Sequence, residues 1–227
     1  MPEVARASGL ILTGAMLGFP GEDYTTPQTI KATGGFGDSA DRSARLERLV
    51  WALDRTLALG LTDLMLHAGF LPELDDPGRH AMLDTLARAG QLAAEKGVTL
   101  AFETGQETAD LLRRTLDDLK LPNLKVNFDP ANMILYDMGD PIRAVEILGP
   151  DIRSVHLKDG RRTRVPGQWG EELPLGDGEV GIPRFLQALK NVGYTGPLVI
   201  EREVGDQAGR LRDVATGLAR LRQWLAD

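Results

Sequence analysis

Short apolar runs alternate with longer amphipathic stretches along almost the whole of this sequence. The apolar runs, typical of buried strands, cover residues 9–17, 63–67, 99–103, 125–129, 154–158 and 198–203. The spacing of apolar residues predicts helices between and after them, at about residues 40–59, 77–96, 107–119, 141–148, 183–192 and 206–225. Such alternation favours parallel strands joined by right-handed helical crossovers.

Two architectures have this pattern, a doubly wound sheet and a closed barrel. The dinucleotide pattern G-x-G-x-x-G occurs at residues 176–181, but there it lies inside a loop and does not directly follow a strand. We therefore predict a TIM-type (β/α) barrel that forms a single domain over residues 1–227. A barrel of this type has eight strands and about 250 residues, and only six β/α units are recognisable, so we expect the two N-terminal units to be missing.

Composition narrows the class of protein. Hydrophobic residues make up 42% of the chain and charged residues 26%, which is typical of a globular protein. The chain has no cysteine, which excludes disulfides and thiolate metal sites. Its net charge of −7 argues against nucleic acid as a partner. The sequence contains neither a signal-peptide layout nor an apolar run of about 18 residues, so we expect a cytoplasmic protein without a membrane partner.

Four consecutive predicted strands carry an ionisable side chain at or near their C-terminal ends: Glu103, Asp129, His156 and Glu201. Charged groups at the ends of apolar strands are costly unless they are paired or coordinated. Because the carboxyl ends of parallel barrel strands meet on one face, we expect these four side chains to converge there. Two glutamates, one aspartate and one histidine form an oxygen-rich ligand set, which favours Mn²⁺, with Mg²⁺, Co²⁺ or Zn²⁺ as alternatives.

These ligands indicate a reaction. A divalent ion bridging a substrate carbonyl and the adjacent hydroxyl stabilises an enediolate and so acidifies the carbon-bound proton. Proton transfer then requires an acid and a base on opposite sides of the substrate. We assign these catalytic roles, as a hypothesis, to Glu103 and Glu201.

At these same positions the chain resembles the xylose-isomerase-like superfamily of TIM barrels, the sugar phosphate isomerase/epimerase family. The resemblance is carried by Phe-Glu-Thr-Gly at 102–105, Asn-Phe-Asp-Pro-Ala-Asn at 127–132, Val-His-Leu-Lys-Asp at 155–159 and Ile-Glu-Arg-Glu at 200–203. Pro-Leu-Gly-Asp-Gly-Glu-Val at 174–180 also looks like the family's loop before its last helix. The ordered set of motifs is specific, whereas any single one is not.

The resemblance implies roles for individual residues. The four strand-end residues would hold the metal ion, and Glu103 and Glu201 would exchange the substrate proton. His67 matches a family histidine near the substrate, and Asn132 stands where epimerase relatives often carry a substrate-contacting histidine. The relatives are usually dimers or tetramers, which implies a homo-oligomer.

The basic segment after the histidine strand supplies further candidates for substrate binding: Lys158, Asp159 and Arg162. An arginine here would hold substrate hydroxyls, a carboxylate or a phosphate, and the alternative is a solvated basic loop. Two long connections, residues 19–38 and 160–181, follow strands and are therefore expected on the same face, as lids or binding loops.

Several functions fit this set of residues. The first is a metal-dependent isomerase or epimerase of a sugar or sugar-like hydroxy-ketone. The second is a metal-dependent dehydratase of the inosose or dehydroshikimate type, and the third is a non-catalytic truncated member of the family. The DNA-repair endonuclease branch is disfavoured, because it needs many histidines for its zinc ions and this acidic chain has three.

Overall fold

The computed structural model describes residues 2–226. Its strands, in chain order, are β1 (Ala15–Leu17), β2 (Asp63–Leu66), β3 (Thr99–Glu103), β4 (Leu124–Phe128), β5 (Ile152–Leu157), β6 (Asp159–Arg161), β7 (Glu171–Leu173) and β8 (Leu198–Ile200). Its α-helices are α1 (Pro2–Ala7), α2 (Pro27–Thr33), α3 (Arg42–Ala58), α4 (Arg79–Glu95), α5 (Ala109–Leu119), α6 (Pro130–Leu135), α7 (Pro141–Leu148), α8 (Ile182–Asn191) and α9 (Gln207–Trp224). A 3₁₀ turn at Gly149–Asp151 leads into β5.

The main sheet contains six parallel strands in the order β1-β2-β3-β4-β5-β8. It is strongly curled. Strands β2 and β5 are separated by two others, a distance of about 14 Å along a flat sheet. Nevertheless Ser154 Oγ lies 3.2 Å from Met65 Sδ, and Arg153 Nη2 lies 3.0 Å from Asp63 Oδ2. The structure thus confirms the TIM-type α/β fold, as a curled half-barrel whose helices pack outside the sheet.

Side-chain alternation along the central strands sorts the core. Leu100, Phe102, Val126 and Phe128 are at most 1% exposed and belong to the hydrophobic cluster formed with the helices. The residues between them face the interior of the curl, where Ser154 Oγ lies 2.5 Å from Asn127 Oδ1. Both ends of the sheet are different: within residues 2–226, β1 pairs only with β2 and β8 only with β5.

Local signals explain most helix boundaries. Thr108, Asp140 and Asp206 cap α5, α7 and α9 by accepting hydrogen bonds from backbone N–H groups of the first turn. Gly60, Gly97 and Gly193 follow helices with φ values of 78°, 68° and 76°, the left-handed conformation that glycine adopts without strain. None of the helices within residues 2–226 combines the length and the hydropathy needed to cross a bilayer.

Some sequence expectations about individual elements were wrong. The first strand is only three residues long, because Leu10 and Ile11 are exposed and unpaired rather than part of the sheet. The connection 19–38 contains α2, and the connection 160–181 contains the antiparallel hairpin β6–β7. The short helix α6 was not predicted. The single domain over residues 1–227 stays a prediction.

Candidate metal centre and cavity

The four strand-end residues meet at the carboxyl edge of the main sheet. Glu103 ends β3, Asp129 directly follows β4, His156 lies in β5 and Glu201 directly follows β8. Each offers one ligand atom, and these atoms all lie within 4.8 Å of one another. Parallel topology therefore brings together residues that are up to 98 positions apart in the sequence.

Two carboxylate oxygens of this cluster have no hydrogen-bond donor among the described residues. Glu103 Oε2 and Asp129 Oδ2 are both buried and both accept no hydrogen bond. A buried charged oxygen without a donor is costly, and a coordinated cation removes that cost. The orphaned oxygens, together with the oxygen-rich donor set, fit a divalent metal ion held by Glu103, Asp129, His156 and Glu201.

His156 is surrounded by the two glutamates. Its Nδ1 lies 3.0 Å from Glu103 Oε1 and 3.4 Å from Glu201 Oε1. Burial alone would lower the pKa of His156, but hydrogen bonds with the two carboxylates raise it to about 11. Burial acts on Glu201 in the opposite direction, yet the hydrogen bond with His156 and the charge of Lys158 lower the pKa of Glu201 to about 2.

Asp129 is fully buried, and its environment differs from that of Glu201. Its Oδ1 accepts a hydrogen bond from the Asn132 backbone and so caps α6, while the Thr104 hydroxyl bonds with the Asp129 backbone. Burial is the main cause that raises the pKa of Asp129 to about 8; the charge of Lys158 acts against it, and the charges of Glu103 and Glu201 act with it. In the absence of a metal ion, a negative charge is therefore less favourable on Asp129 than on Glu201.

Lys158 lies beside this cluster and contacts three carboxylates. Its ammonium lies 3.2 Å from Glu201 Oε2, 3.8 Å from Asp129 Oδ2 and in close contact with Glu203. Burial alone would lower its pKa, but these carboxylates raise it well above the usual lysine value. Lys158 is also 3.3 Å from Asn132 Oδ1, and Asn132 Nδ2 donates to Glu103 Oε1 at 3.3 Å.

A cavity of about 540 Å³ opens beside the four residues. Glu103 and Glu201 both line it, so two members of the cluster are accessible to a small molecule. The predicted substrate-binding residues His67, Asn132 and Lys158 also line it. The His67 Nε2 atom lies 3.6 Å from Glu103 Oε2.

The two long connections meet across this cavity. Trp169 Nε1 donates to the Tyr24 carbonyl at 3.2 Å, and Gln28 Nε2 donates to the Gly167 carbonyl at 3.2 Å. The Trp169 ring packs edge-on against Tyr136, with centroids 4.7 Å apart. Burial raises the pKa of Tyr24 and of Tyr136, so both hydroxyls stay protonated and can donate hydrogen bonds.

Comparison with known proteins identifies the family. A family model described as xylose isomerase-like TIM barrel matches residues 5–226. The chain belongs to this family. A crystal structure of a xylose isomerase domain protein from Planctomyces limnophilus is 35% identical, with a TM-score of 0.91 over 98% of this chain and 79% of that one.

Curated relatives of this chain include enzymes of two kinds. An L-ribulose-5-phosphate 3-epimerase of Escherichia coli is 27% identical over 84% of this chain and 66% of its own length. An inosose dehydratase of Geobacillus thermodenitrificans is 28% identical over 54% of this chain and 46% of its own length. The chain thus spans between about half and two-thirds of the length of these relatives.

Two of the predicted substrate-binding residues lie away from the lining of the cavity. The Asp159 carboxylate is 1% exposed and accepts four backbone hydrogen bonds, from Gly160, Gly176, Gly178 and Val180. Arg162 is exposed, where it contacts Asp137 and donates to the Gly139 carbonyl. Asp159 therefore ties the loop to the end of β5, and Arg162 holds the outer side of that loop.

Sequence reasoning did not single out the aromatic side chains of the cavity. Tyr24 and Trp169 stand in the two glycine-rich connections, and Tyr136 ends α6. A signal was present, because large aromatic residues in loops that follow barrel strands are placed on the active face of this family. Glu172, which also lines the cavity, lies in the hairpin that was not predicted.

Proposed function

We propose that this chain is a divalent-metal-dependent isomerase or epimerase of a sugar or sugar-like hydroxy-ketone. Glu103 and Glu201 form its acid/base pair in this proposal. The observation that carries it is the position of these two carboxylates, which line one cavity and belong to the cluster of four ligand atoms within 4.8 Å. The kinship with an epimerase over 84% of the chain supports the same class of reaction.

Glu103, Asp129, His156 and Glu201 would hold the metal ion, and the oxygen-rich set favours Mn²⁺ over a zinc-type site. When bound, a divalent ion supplies Lewis-acid polarisation of a carbonyl oxygen. The chain supplies the rest: one glutamate removes the proton from the carbon next to the carbonyl, and the other returns a proton to the opposite face.

The surrounding residues position these two carboxylates. Glu103 is oriented by contacts with Asn132 and His156, while Glu201 contacts His156 and Lys158. The loops joined through Trp169 and Tyr24 would limit water access in this proposal, which would suppress side reactions.

A dehydratase is the second candidate, because an inosose dehydratase matches 54% of the chain. Both reactions begin with the same proton removal. They differ in the next step, since a dehydratase expels the neighbouring hydroxyl as water. Product analysis by nuclear magnetic resonance separates an epimer, which has the mass of the substrate, from an unsaturated or deoxy product that has lost water.

The test is hydrogen exchange in D₂O. Metal-stripped protein is incubated with a panel of ketoses and inososes, with and without added Mn²⁺, and deuterium at the carbon next to the carbonyl is followed by nuclear magnetic resonance. We expect exchange that depends on Mn²⁺ and falls by about 10²–10⁴-fold in E103Q and in E201Q.

The control E171Q changes an exposed glutamate of the hairpin and is expected to leave the exchange unchanged. Full exchange in both site variants would contradict the assigned roles, and no exchange with any substrate would favour a non-catalytic binding protein.

A further inference from the structure

The cavity lining carries a strong excess of negative charge. Five glutamates contribute to it, against one lysine: Glu22, Glu103, Glu172, Glu201 and Glu203 against Lys158. Behind the lining, Asp129 and His156 offset each other, and Arg202 offsets Glu172, which leaves Glu22, Glu103, Glu201 and Glu203 against Lys158. A bound divalent cation therefore reduces this excess without reversing it. An anionic group on a ligand would meet repulsion on most sides, because like charges in a confined site are strongly unfavourable.

The single lysine of the lining is already neutralised. Lys158 is 3% exposed, and its ammonium is within 4.0 Å of Asp129, Glu201 and Glu203. An ammonium has three donors, and here each faces an acidic oxygen or the Asn132 side chain. A phosphate would have to displace one of these carboxylates in order to bind it.

Two arginines of the neighbouring segments are engaged elsewhere. Arg202 is bonded to Glu172 at 2.6 Å and to Asp213 at 2.9 Å. Arg162, which the sequence predicts to hold substrate hydroxyls, a carboxylate or a phosphate, contacts Asp137 outside the cavity. Phosphate recognition normally relies on such guanidinium or ammonium donors, and neither arginine lines this cavity.

A helix N-terminus is the other common phosphate site, and α6 begins beside the cluster. Its first-turn donor is occupied, since the backbone N–H of Asn132 donates to Asp129 Oδ1 at 2.9 Å. The protein's own carboxylate thus takes the place that an anionic ligand would need. The first turn of α6 is therefore not free to bind a phosphate beside the cluster.

What the cavity does offer suits an uncharged polyhydroxy compound. Carboxylate oxygens accept hydrogen bonds from hydroxyl groups, and the protonated hydroxyls of Tyr24 and Tyr136 can donate. Trp169, Leu17 and Val204 add apolar surface for the C–H groups of a sugar.

We infer that the substrate is an uncharged ketose or polyol-derived ketone, and that the cavity discriminates against the corresponding sugar phosphates. This inference rests on the proposed function, since it names the substrate class of the same site. An epimerase relative is named for a sugar phosphate, so the inference gives this chain a different class of substrate.

The experiment compares matched ligand pairs that differ only by a phosphate. Calorimetric titration of the Mn²⁺-loaded protein is done with L-ribulose against L-ribulose 5-phosphate, and with D-fructose against D-fructose 6-phosphate. We expect the uncharged member of any pair that binds to bind at least about tenfold more tightly. Equal or tighter binding of the phosphate in every binding pair would overturn the inference, as would binding of no member of either pair.

A charge variant tests the stated cause. Glu203 lines the cavity with a largely exposed side chain, so E203Q removes one negative charge without opening the core. The preference for the uncharged ligand should fall about two- to fivefold in E203Q. The control E171Q removes the same charge outside the cavity, two residues before the end of β7, and should keep the preference of the unchanged protein. An identical preference in both variants would contradict electrostatic exclusion.

The outcomes distinguish this inference from the proposed function. Binding of an uncharged ketose without hydrogen exchange in D₂O would contradict the proposed function and keep the inference. Hydrogen exchange that is faster with the phosphate than with its uncharged partner would keep the proposed function and contradict the inference.

Discussion

The centre of the main sheet and its two ends are built differently. The apolar residues of β3, β4 and β5 are almost fully buried, whereas Met16 in β1 is 46% exposed and Val199 in β8 is 37% exposed. Glu103, Asp129 and His156 come from the central strands, and Glu201 comes from the end strand β8. The candidate metal centre therefore joins three ligands on buried strands to one on a more exposed strand.

The difference predicts how much stability each strand contributes. Leu100→Ala in β3 should lower the free energy of unfolding by about 2–5 kcal/mol, because it leaves a cavity in a tightly packed core. Leu198→Ala in β8 removes the same atoms from a half-buried position and should cost about 1–2 kcal/mol. Urea unfolding of both variants measures the contrast. Equal costs would show that the end strand is as well packed as the centre.

The pKa values of two carboxyl groups also differ between the centre and the end of the sheet. Glu107, which follows β3, is 5% exposed, and burial raises its pKa to about 8. Glu201, which follows β8, has a lowered pKa because His156 and Lys158 compensate its burial. The carboxyl group that follows the central strand β3 thus resists ionisation, whereas the one that follows the end strand β8 ionises readily.

This predicts a pH-dependent gain from Glu107→Gln. A folded pKa above the unfolded value favours the folded state at low pH, and this contribution is lost as pH rises from about 4.5 to about 8. We therefore expect E107Q to be more stable than the unchanged protein at pH 9, by about 2–4 kcal/mol, with a much smaller difference at pH 4.5. Denaturant unfolding at both pH values measures it.

The matched control is Glu146→Gln on the exposed side of α7, for which we expect no such dependence. A gain in E107Q of the same size at both pH values would mean that its cause is not ionisation.

The loop held by Asp159 is a third region, and four backbone hydrogen bonds to one buried carboxylate shape it. Each Asp159 carboxylate oxygen accepts two backbone hydrogen bonds. In Asp159→Asn, an NH₂ group replaces one of these oxygens and would face two N–H donors. We expect a loss of about 1–3 kcal/mol in the free energy of unfolding. The loop carries Trp169, so hydrogen exchange of the substrate should slow as well.

Asp177→Asn is the control for this prediction, because Asp177 lies in the same loop and bonds to Arg220 at a half-exposed position. A smaller loss of stability in D159N than in D177N would show that the four hydrogen bonds do not hold the loop.

The predictability of these regions from sequence differs for physical reasons. Central strands and long helices have a clear apolar period, so β3 and α7 were predicted with the bounds that the structure shows. The polar strand ends were predicted because parallel strands bring their carboxyl ends together. The hairpin β6–β7 was not, since its strands are three residues long and have no apolar alternation.

Long-range polar contacts were the hardest to predict. The donors to Asp159 include Gly176 and Val180, which lie 17 and 21 residues further along the chain, and no local pattern links them. The same holds for Trp169 and Tyr24, which are 145 residues apart and meet only because two loops fold over one cavity. The strand pattern predicts that the ligand atoms share one edge of the sheet, whereas the positions of the loops and their contacts depend on tertiary packing.

The smallest expected effect concerns the metal ion itself, and it addresses the comparison directly. Asp129 is fully buried, so the lost charge of Asp129→Asn has no replacement from water, whereas the Glu201 side chain is 22% exposed and water can take its place in Glu201→Gln. We expect D129N to weaken Mn²⁺ binding about tenfold more than E201Q does, a difference of about 1.4 kcal/mol. Asparagine is as good a helix cap as aspartate, so D129N keeps the start of α6 and its fold can be checked by circular dichroism. Calorimetric titration of metal-free protein with Mn²⁺ measures both affinities. If E201Q loses as much affinity as D129N, the ligand on the end strand contributes as much to metal binding as the buried Asp129. The division of the site into a buried and an exposed part would then be wrong.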